Sequence, residues 1–428
     1  LKRVLFFLYY FPPLPGSAPR RNHFLAKGIA EKVDASYILT ATPEPDASLP
    51  RTEARFIPAW DYRRLIRRRT RDGALPEDKK NSPIAQWLIR LINSFPFSVI
   101  LGEGGWRYYR RLVREGRKLV REKQITHLYS SYRPFVDHYA AYQLKKKYPH
   151  LIWIADFRDL IIDPHFMHIL FPNAHHRLFR KIFSHADVLT TVSDGLAVHV
   201  EKYNPSVRVV RNAVSDTWTP PVPIHAEKFT LVYTGSMFLD KRNAWPLFEV
   251  VKSLIDNGKV NAEDIRIVYA GKDGVLWESM AKTSGLESLL DNRGIISGRA
   301  AQDIQERACI NVLLTVSSEK LQGYLTGKMI EYFESGSPLL GIASGQRDPE
   351  LEKLFAALSI GRCFSDQPED RDAIGAFILA EYRAWQNSLH NRKPLDAETF
   401  KTNYSVDAVM APMMHFIDRD VHHSGNRS

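Results

Sequence analysis

Two hydrophobic periods alternate along this chain. Short continuous apolar runs, read as buried strands, are followed by stretches whose apolar positions recur every three or four residues, read as helices. Residues 2–8 form the first strand pattern, ended by Tyr9-Tyr10-Phe11-Pro12-Pro13-Leu14-Pro15-Gly16-Ser17. Phe24, Leu25 and Ile29 then share one face of a helix over about 20–32. Further strands are predicted at 36–41, 125–129, 151–155, 187–192 and 207–211, with helices at 137–148 and 193–203. After Thr219-Pro220-Pro221-Val222-Pro223, a linker pattern, the alternation restarts with strands at 229–234, 265–270, 293–297, 310–315 and 338–342.

Serial strand–loop–helix units predict an α/β protein with doubly wound parallel sheets, in which the loops after the strands gather at one ligand-binding edge. With 428 residues the chain exceeds one ordinary core, and two domains follow: 1–220, and 224–395. A stretch over 396–420, with Val406, Val409, Met413 and Phe416 at helical spacing, is expected to pack back on the first domain, and 421–428 to be disordered.

Between about 55 and 123 the first domain carries a basic amphipathic insertion. Residues 61–71 hold a dense arginine run, Ile84, Trp87, Leu88, Leu91 and Ile92 recur at helical spacing, and 106–122 sets Arg107, Arg111, Arg114, Lys118 and Arg121 opposite Tyr109, Leu112, Val113, Leu119 and Val120. A solvated helix face and a surface for anionic lipid or a phosphorylated acceptor both fit. The net charge of +11, from 59 Lys and Arg against 48 Asp and Glu, favours anionic partners. Nucleic acid is not expected, because no recognised module accompanies the arginines. No apolar run spans a bilayer and the opening residues lack signal-peptide organisation, so a cytoplasmic location is expected, with peripheral attachment to the inner face of the plasma membrane as an option. Cys309 and Cys363 make no disulfide framework and read as buried fillers, and no Cys/His spacing resembles a metal site.

The chemistry-bearing residues lie in the loops. Gly16, Ser17 and Arg20 follow the first strand; Ser130-Ser131-Tyr132-Arg133-Pro134 and Asp156-Phe157-Arg158-Asp159 follow two others. In the second half, Gly323-Tyr-Leu-Thr-Gly-Lys-Met-Ile-Glu-Tyr-Phe-Glu-Ser-Gly-Ser-Pro338 reads as helix and turn before a strand. Thr326 is a candidate N-cap, Met329, Ile330 and Phe333 share one face, and Lys328 and Glu331 share the other. A helix start with free N–H groups, a cation and a carboxylate can hold a nucleoside diphosphate; an exposed ion pair is the simpler alternative.

Taken together, these motifs resemble the GT-B glycosyltransferases of the large retaining group called family 4, in its bacterial cell-surface polysaccharide branch. The resemblance rests on Tyr10 to Ser17, the Ser-Ser-x-x-Pro turn, the Asp-x-Arg-Asp strand end, and the late Gly-Lys-Met-Ile-Glu-Tyr-Phe-Glu-Ser-Gly-Ser-Pro run, in the family's order. It implies two Rossmann-like domains facing each other across a cleft. Gly235, Ser236 and Lys241 match the family's diphosphate-binding element, with Ser236 in place of the usual arginine. Glu331 matches the second of its paired glutamates, and the first falls at Gly323. Gly327 and Lys328 join this donor set, and Gly298 with Arg299 is assigned near the base.

The implied reaction is hexosyl transfer from a nucleotide-diphosphate sugar to a lipid-linked or polysaccharide acceptor of a surface glycan such as lipopolysaccharide or capsule, with no cofactor or metal. Asp156 and Asp159 are candidates to orient the acceptor or move its proton, and Arg158 to meet a phosphate. Gly16, Ser17, Arg20, Tyr132 and Arg133 would line the acceptor side. A structural ion-pair cluster is the alternative for Asp156–Asp159. Two other functions fit the architecture: a nucleotide-sugar epimerase, and a non-catalytic scaffold.

Overall fold

The computed structural model describes residues 1–14, 16–60, 83–163, 168–215, 218–219, 221, 226–237, 242–323, 327–387 and 397–419. The arginine run at 61–71, the candidates Lys241 and Thr326, much of the 219–223 linker and the tail 421–428 lie outside these residues.

The chain forms two compact units. One comprises Leu1–Arg211 and Val406–Ser428, the other Asn212–Ser405. The division therefore falls just before the proline-rich stretch, and the second crossing at Ser405 splits the predicted 396–420 segment between the two units.

The first unit is built on seven parallel strands: β1 (Arg3–Phe7), β2 (Ala35–Thr40), β3 (Thr52–Phe56), β4 (His127–Tyr132), β5 (Ile152–Phe157), β6 (Val188–Thr191) and β7 (Val207–Val209), in the spatial order β3-β2-β1-β4-β5-β6-β7. Its helices are α1 (Ser17–Ala30), α2 (Pro83–Asn93), α3 (Phe97–Ile100), α4 (Gly105–Glu122), α5 (Phe135–Lys147), α6 (Pro172–Phe183) and α7 (Asp194–Val200). The continuous apolar runs sit at the sheet centre, where both faces are covered, and Val4 to Phe7 and Trp153 have no exposed surface. β3, which the pattern did not predict, is an edge strand of sequence TEARF with no fully buried residue.

In the second unit, β8 (Phe229–Thr234), α8 (Trp245–Asp256), β9 (Ile265–Ala270), α9 (Gly274–Thr283), β10 (Leu290–Asn292), α10 (Gly298–Glu306), β11 (Ile310–Ser317), α11 (Gly327–Ser335), β12 (Leu339–Gly345), α12 (Pro349–Leu358), β13 (Gly361–Ser365), α13 (Arg371–Gln386) and α14 (Ala397–Tyr404) follow in turn. The six strands are parallel, ordered β10-β9-β8-β11-β12-β13. Side chains alternate between faces: Ile310, Val312 and Leu314 join one core with Phe248, Trp277 and Ile378, whereas Leu313 joins a second with Met329, Ile330, Phe333, Phe355 and Phe400. Helices therefore cover both faces. The strand expected at 293–297 lies at Leu290–Asn292 instead, and β13 was not predicted, since only Cys363, Phe364 and Ser365 of this edge strand are buried.

The last helix, α15 (Val406–Asp418), returns to the first unit and packs on α1. Lys32 and Lys2 pair with Asp407 and Asp418, and the buried His127 ring shares a hydrogen bond with the Phe416 carbonyl at 3.2 Å.

Candidate active site

Both sheets reverse direction of winding beside their first strand, between β1 and β4 and between β8 and β11. In doubly wound sheets the loops leaving the carboxyl ends diverge at such a point, and ligands usually bind in the crevice between them.

In the second unit this point is occupied by Lys328. Its Nζ donates to the Thr234 carbonyl at 2.6 Å and lies 5.8 Å from the Tyr233 ring centroid. Gly235, at φ +137°, makes the approach possible: a Cβ there would overlap Nζ and lie 2.8 Å from Lys328 Cε. Burial, then the neighbouring Arg242, lowers the Lys328 ammonium to about 8, with Glu331 and Asp273 opposing. The loop after β8 is held from behind. Tyr269 Oη donates to the Gly235 carbonyl at 2.9 Å, Arg242 Nη1 donates to the Ser236 carbonyl at 3.0 Å, and Met237 N donates to Asp273 at 2.8 Å. Tyr332, one helical turn past Lys328 and fully buried, accepts from Thr234 N at 3.2 Å and so locks α11 to the end of β8.

In the first unit the equivalent edge centres on a buried ion pair. Asp156, with no exposed surface, accepts from Arg21 Nε at 3.0 Å and Nη2 at 2.7 Å, from Thr190 at 2.8 Å and from Ser131 at 3.2 Å. Desolvation works against this carboxylate, yet Arg21 and the two hydroxyls hold its pKa below the usual range. With four donors and no accessible oxygen, Asp156 cannot also accept from a substrate. The expectation that it orients an acceptor or moves a proton is corrected on this ground: Asp156 is a positioning residue. The accessible groups of that strand end are Arg158, which donates from Nε to the Tyr132 carbonyl at 3.0 Å, and Asp159, whose nearest oxygen is 3.7 Å from Arg158 Nη2. Arg133 is exposed just after β4; its guanidinium carbon lies 5.9 Å from the Tyr132 ring centroid, and the carboxylates of Asp159 and Glu103 favour its charge.

Behind Arg133 lies Asp137, buried in the first turn of α5. It accepts from Tyr9 N at 2.7 Å and Tyr108 Oη at 3.1 Å, and burial raises it to about 8. His138, adjacent, is also buried and pushed down to about 3 by desolvation, so it is a neutral core residue bonded to Ser130.

Gly235, Ser236, Gly327, Lys328 and Glu331 thus belong to one sheet edge of the second unit. Gly298 starts α10, and Arg299 is 83% exposed and paired with Asp303 four residues on. Gly16 and Ser17 begin α1, with Arg20 one turn further, and Tyr132 is buried at the end of β4. Arg21, Asp137, Glu103 and Arg242 were missed. Arg21 sits inside an amphipathic helix next to the chosen Arg20, and only its burial distinguishes it.

No family model and no curated protein sequence matches the chain. Two doubly wound parallel units in this order nevertheless define a GT-B glycosyltransferase fold, and solved structures establish the likeness. Sucrose-phosphate synthase from Thermosynechococcus elongatus is similar at a TM-score of 0.62 and 12% identity, over 97% of this chain and 98% of its own. TarM of S. aureus, solved with UDP among its ligands, aligns at a TM-score of 0.60 and 9% identity, over 98% and 100%. WaaG, a glycosyltransferase involved in lipopolysaccharide biosynthesis, aligns at 0.55 and 12%, over 96% and 99%.

Proposed function

We propose that this chain is a retaining glycosyltransferase of the family 4 type, transferring a hexosyl group from a nucleoside-diphosphate sugar to a lipid-linked or glycan acceptor in surface-glycan synthesis. The observation that carries the reading is Lys328, seated against Thr234 and Gly235 at the winding reversal of the second sheet. A cation there, together with the N-terminus of α11 and the adjacent Arg242, matches a diphosphate leaving group. Basic charge alone would not favour a nucleotide; the position at a doubly wound sheet edge, a common ligand position in such folds, supports that choice. The names of the similar structures, which include transferases of lipopolysaccharide biosynthesis and a UDP complex, support the same class.

In the proposed reaction the bond between the anomeric carbon and the diphosphate oxygen breaks, and the acceptor oxygen bonds to that carbon on the same face. The acceptor proton passes to the departing phosphate, so no protein nucleophile is needed. Lys328 and the α11 N–H groups offset the charge that builds on the leaving group. Asp159, Arg158 and Arg133 are the acceptor-facing groups in this scheme, while Arg21 and Asp156 hold the strand end that carries them.

An anionic membrane leaflet is the proposed docking surface. Trp60, Trp87, Leu88, Ile89, Ile100 and Trp106 are all at least 39% exposed on or beside α2 to α4, and α4 adds Arg107, Arg110, Arg111 and Arg114 to the solvent side. Apolar and basic groups together suit insertion at a lipid interface. Among the described residues no helix is long and apolar enough to cross a membrane.

The test is a thermal-shift and hydrolysis screen of nucleoside diphosphates and their sugars. Stabilisation by one nucleoside diphosphate and slow release of its sugar are expected; no stabilisation by any of them overturns the reading.

A further inference from the structure

The second sheet parts beside Lys328. β8 pairs with β9 as far as Thr234, but among the described residues its register with β11 ends at Val232, although β11 itself runs on to Ser317 beside β12. Cys309 N donates to the Thr230 carbonyl at 2.9 Å, so the even-numbered peptides of β8 face β11, and Thr234 turns its N–H and C=O toward that side beyond the last paired residue. Backbone groups buried there need other partners. Side chains of α11 supply them: Tyr332 Oη meets the N–H at 3.2 Å and the C=O at 3.3 Å, and Lys328 Nζ donates to the same C=O at 2.6 Å.

We infer that Gln305, in the last turn of α10 and outside the proposed donor contacts, is a positioning residue that sets how Lys328 is presented, acting through Thr234 and Tyr332. Its bearing on the reaction rests on the donor-site reading above.

Gln305 is 1% exposed and is held at both ends. Its carbonyl, one of those a helix end leaves without an intrahelical partner, accepts from Asn311 Nδ2 at 3.0 Å and Ser337 Oγ at 3.1 Å. Asn311 Nδ2 also donates to Ser335 Oγ at 2.9 Å, and Ser335 Oγ to the Tyr332 carbonyl at 2.7 Å, so α10, β11 and α11 are fixed to one another. At the other end Gln305 Nε2 donates to Thr234 Oγ1 at 2.7 Å, which leaves the Thr234 hydroxyl hydrogen for Tyr332 Oη at 3.2 Å. Tyr332 Oη then accepts twice, from the Thr234 hydroxyl and N–H, and gives its own hydrogen to the Thr234 carbonyl. Both lone pairs of that carbonyl are thereby used, one by Tyr332 and one by Lys328.

Without the Gln305 amide, Thr234 Oγ1 has lost its donor, the Tyr332 hydrogen turns to it, and the carbonyl is left to the lysine alone. The ammonium is then held more tightly on the protein and is less free to meet an anion. The charged groups that act on Lys328 are Arg242, Glu331 and Asp273, from the loops after β8 and β9 and from α11, so an effect arriving through α10 is separable from theirs.

The first measurement needs no ligand: acetylation of Lys328 across a pH series, read by peptide mass mapping. In Gln305→Leu its midpoint is expected to rise by about half a pH unit or more above wild type. The second is calorimetry with UDP, ADP and GDP on wild type, Gln305→Leu, Lys328→Met and the double variant. Gln305→Leu is expected to lose about 5- to 10-fold in affinity for the diphosphate that wild type binds, the size of one hydrogen bond, and to add less than about twofold in the Lys328→Met background. A merely structural residue lowers affinity by the same factor with or without the lysine; that result overturns the inference, and so does an unmoved Lys328 midpoint. Should Gln305→Leu not fold, Gln305→Met and Thr234→Val, which cut the same hydrogen bond from its two sides, decide by the same measurements. Failure of the wild type to bind any nucleoside diphosphate strikes the donor-site reading, while the acetylation midpoints still decide the positioning role.

Discussion

Gly235 and Lys328 occupy one shared volume: the hydrogen of the glycine leaves the room into which the lysine ammonium reaches to meet the Thr234 carbonyl at 2.6 Å. Their separation in sequence conceals that dependence, and it makes the pair testable as a unit. Gly235→Ala combines a strained backbone with expulsion of the lysine, and should cost about 1–3 kcal/mol of stability and at least about tenfold in nucleoside-diphosphate affinity. Combining it with Lys328→Ala should cost less than the sum of the two, because the second change removes the clash. Chemical denaturation and calorimetry on the three variants check this, and strict additivity would refute the shared-volume account.

Lys328 also predicts a pH dependence. Burial lowers its pKa to about 8 from 10.5, so above pH 8 the unfolded chain binds the proton that the folded chain has released. Its contribution to stability therefore rises between about pH 8 and 10.5 and is lost as pH falls through 8. Diphosphate binding works the other way, since the anion favours the ammonium. Affinity should fall above pH 8 and binding should take up close to one proton there. Calorimetry at pH 9 in buffers of different ionisation enthalpy measures the uptake, which Lys328→Met should abolish.

The Arg21–Asp156 pair is fully desolvated, and either partner alone would be a buried unpaired charge. Arg21→Met or Asp156→Asn should each cost about 3–5 kcal/mol in denaturant melts, with the double variant Arg21→Met/Asp156→Asn recovering part of the loss. Since Asp156 is held below its usual pKa, its contribution is present at neutral pH and disappears only as pH falls through the lowered value.

Asp137 gives the opposite slope. Burial raises it to about 8 from 3.8, so the folded state retains a proton that the unfolded chain gives up, and stability falls as pH rises from about 4 to 8. Asp137→Asn resembles the protonated form and should flatten this decline while changing stability near pH 5 by no more than about 1 kcal/mol. Unfolding curves at pH 5, 6.5 and 8 for both proteins test it; parallel pH profiles would count against the assignment.

The exposed aromatics of α2 and α4 predict salt-sensitive association with vesicles containing phosphatidylglycerol. Trp87→Ser with Trp106→Ser should weaken it about tenfold, and Arg107→Glu with Arg111→Glu by at least as much, at about 1 kcal/mol per basic group near the surface. Flotation across a salt series would show this, and binding indifferent to both pairs would remove the membrane from the proposal.

Much of the fold is written locally. The apolar runs at β1, β5, β8 and β11 and the helical spacing of Met329, Ile330 and Phe333 are periodic signals, and such signals state which side of an element is buried whatever it packs against. Edge strands escaped because they bury too little: β3 alternates with charge, and β13 opens with Gly361 and Arg362. The loops after the strands were legible as one sheet edge for the same topological reason.

What the sequence by itself determined, then, is the class, two doubly wound units with a GT-B order of elements, and the edge at which Gly235 and Lys328 lie. Only the tertiary structure decided the partners at that edge. Arg21 meets Asp156 across 135 residues, and Lys328 meets Thr234 across 94. No local period encodes these meetings, because they follow from the order in which parallel strands pair, and that order is set by packing of the whole sheet.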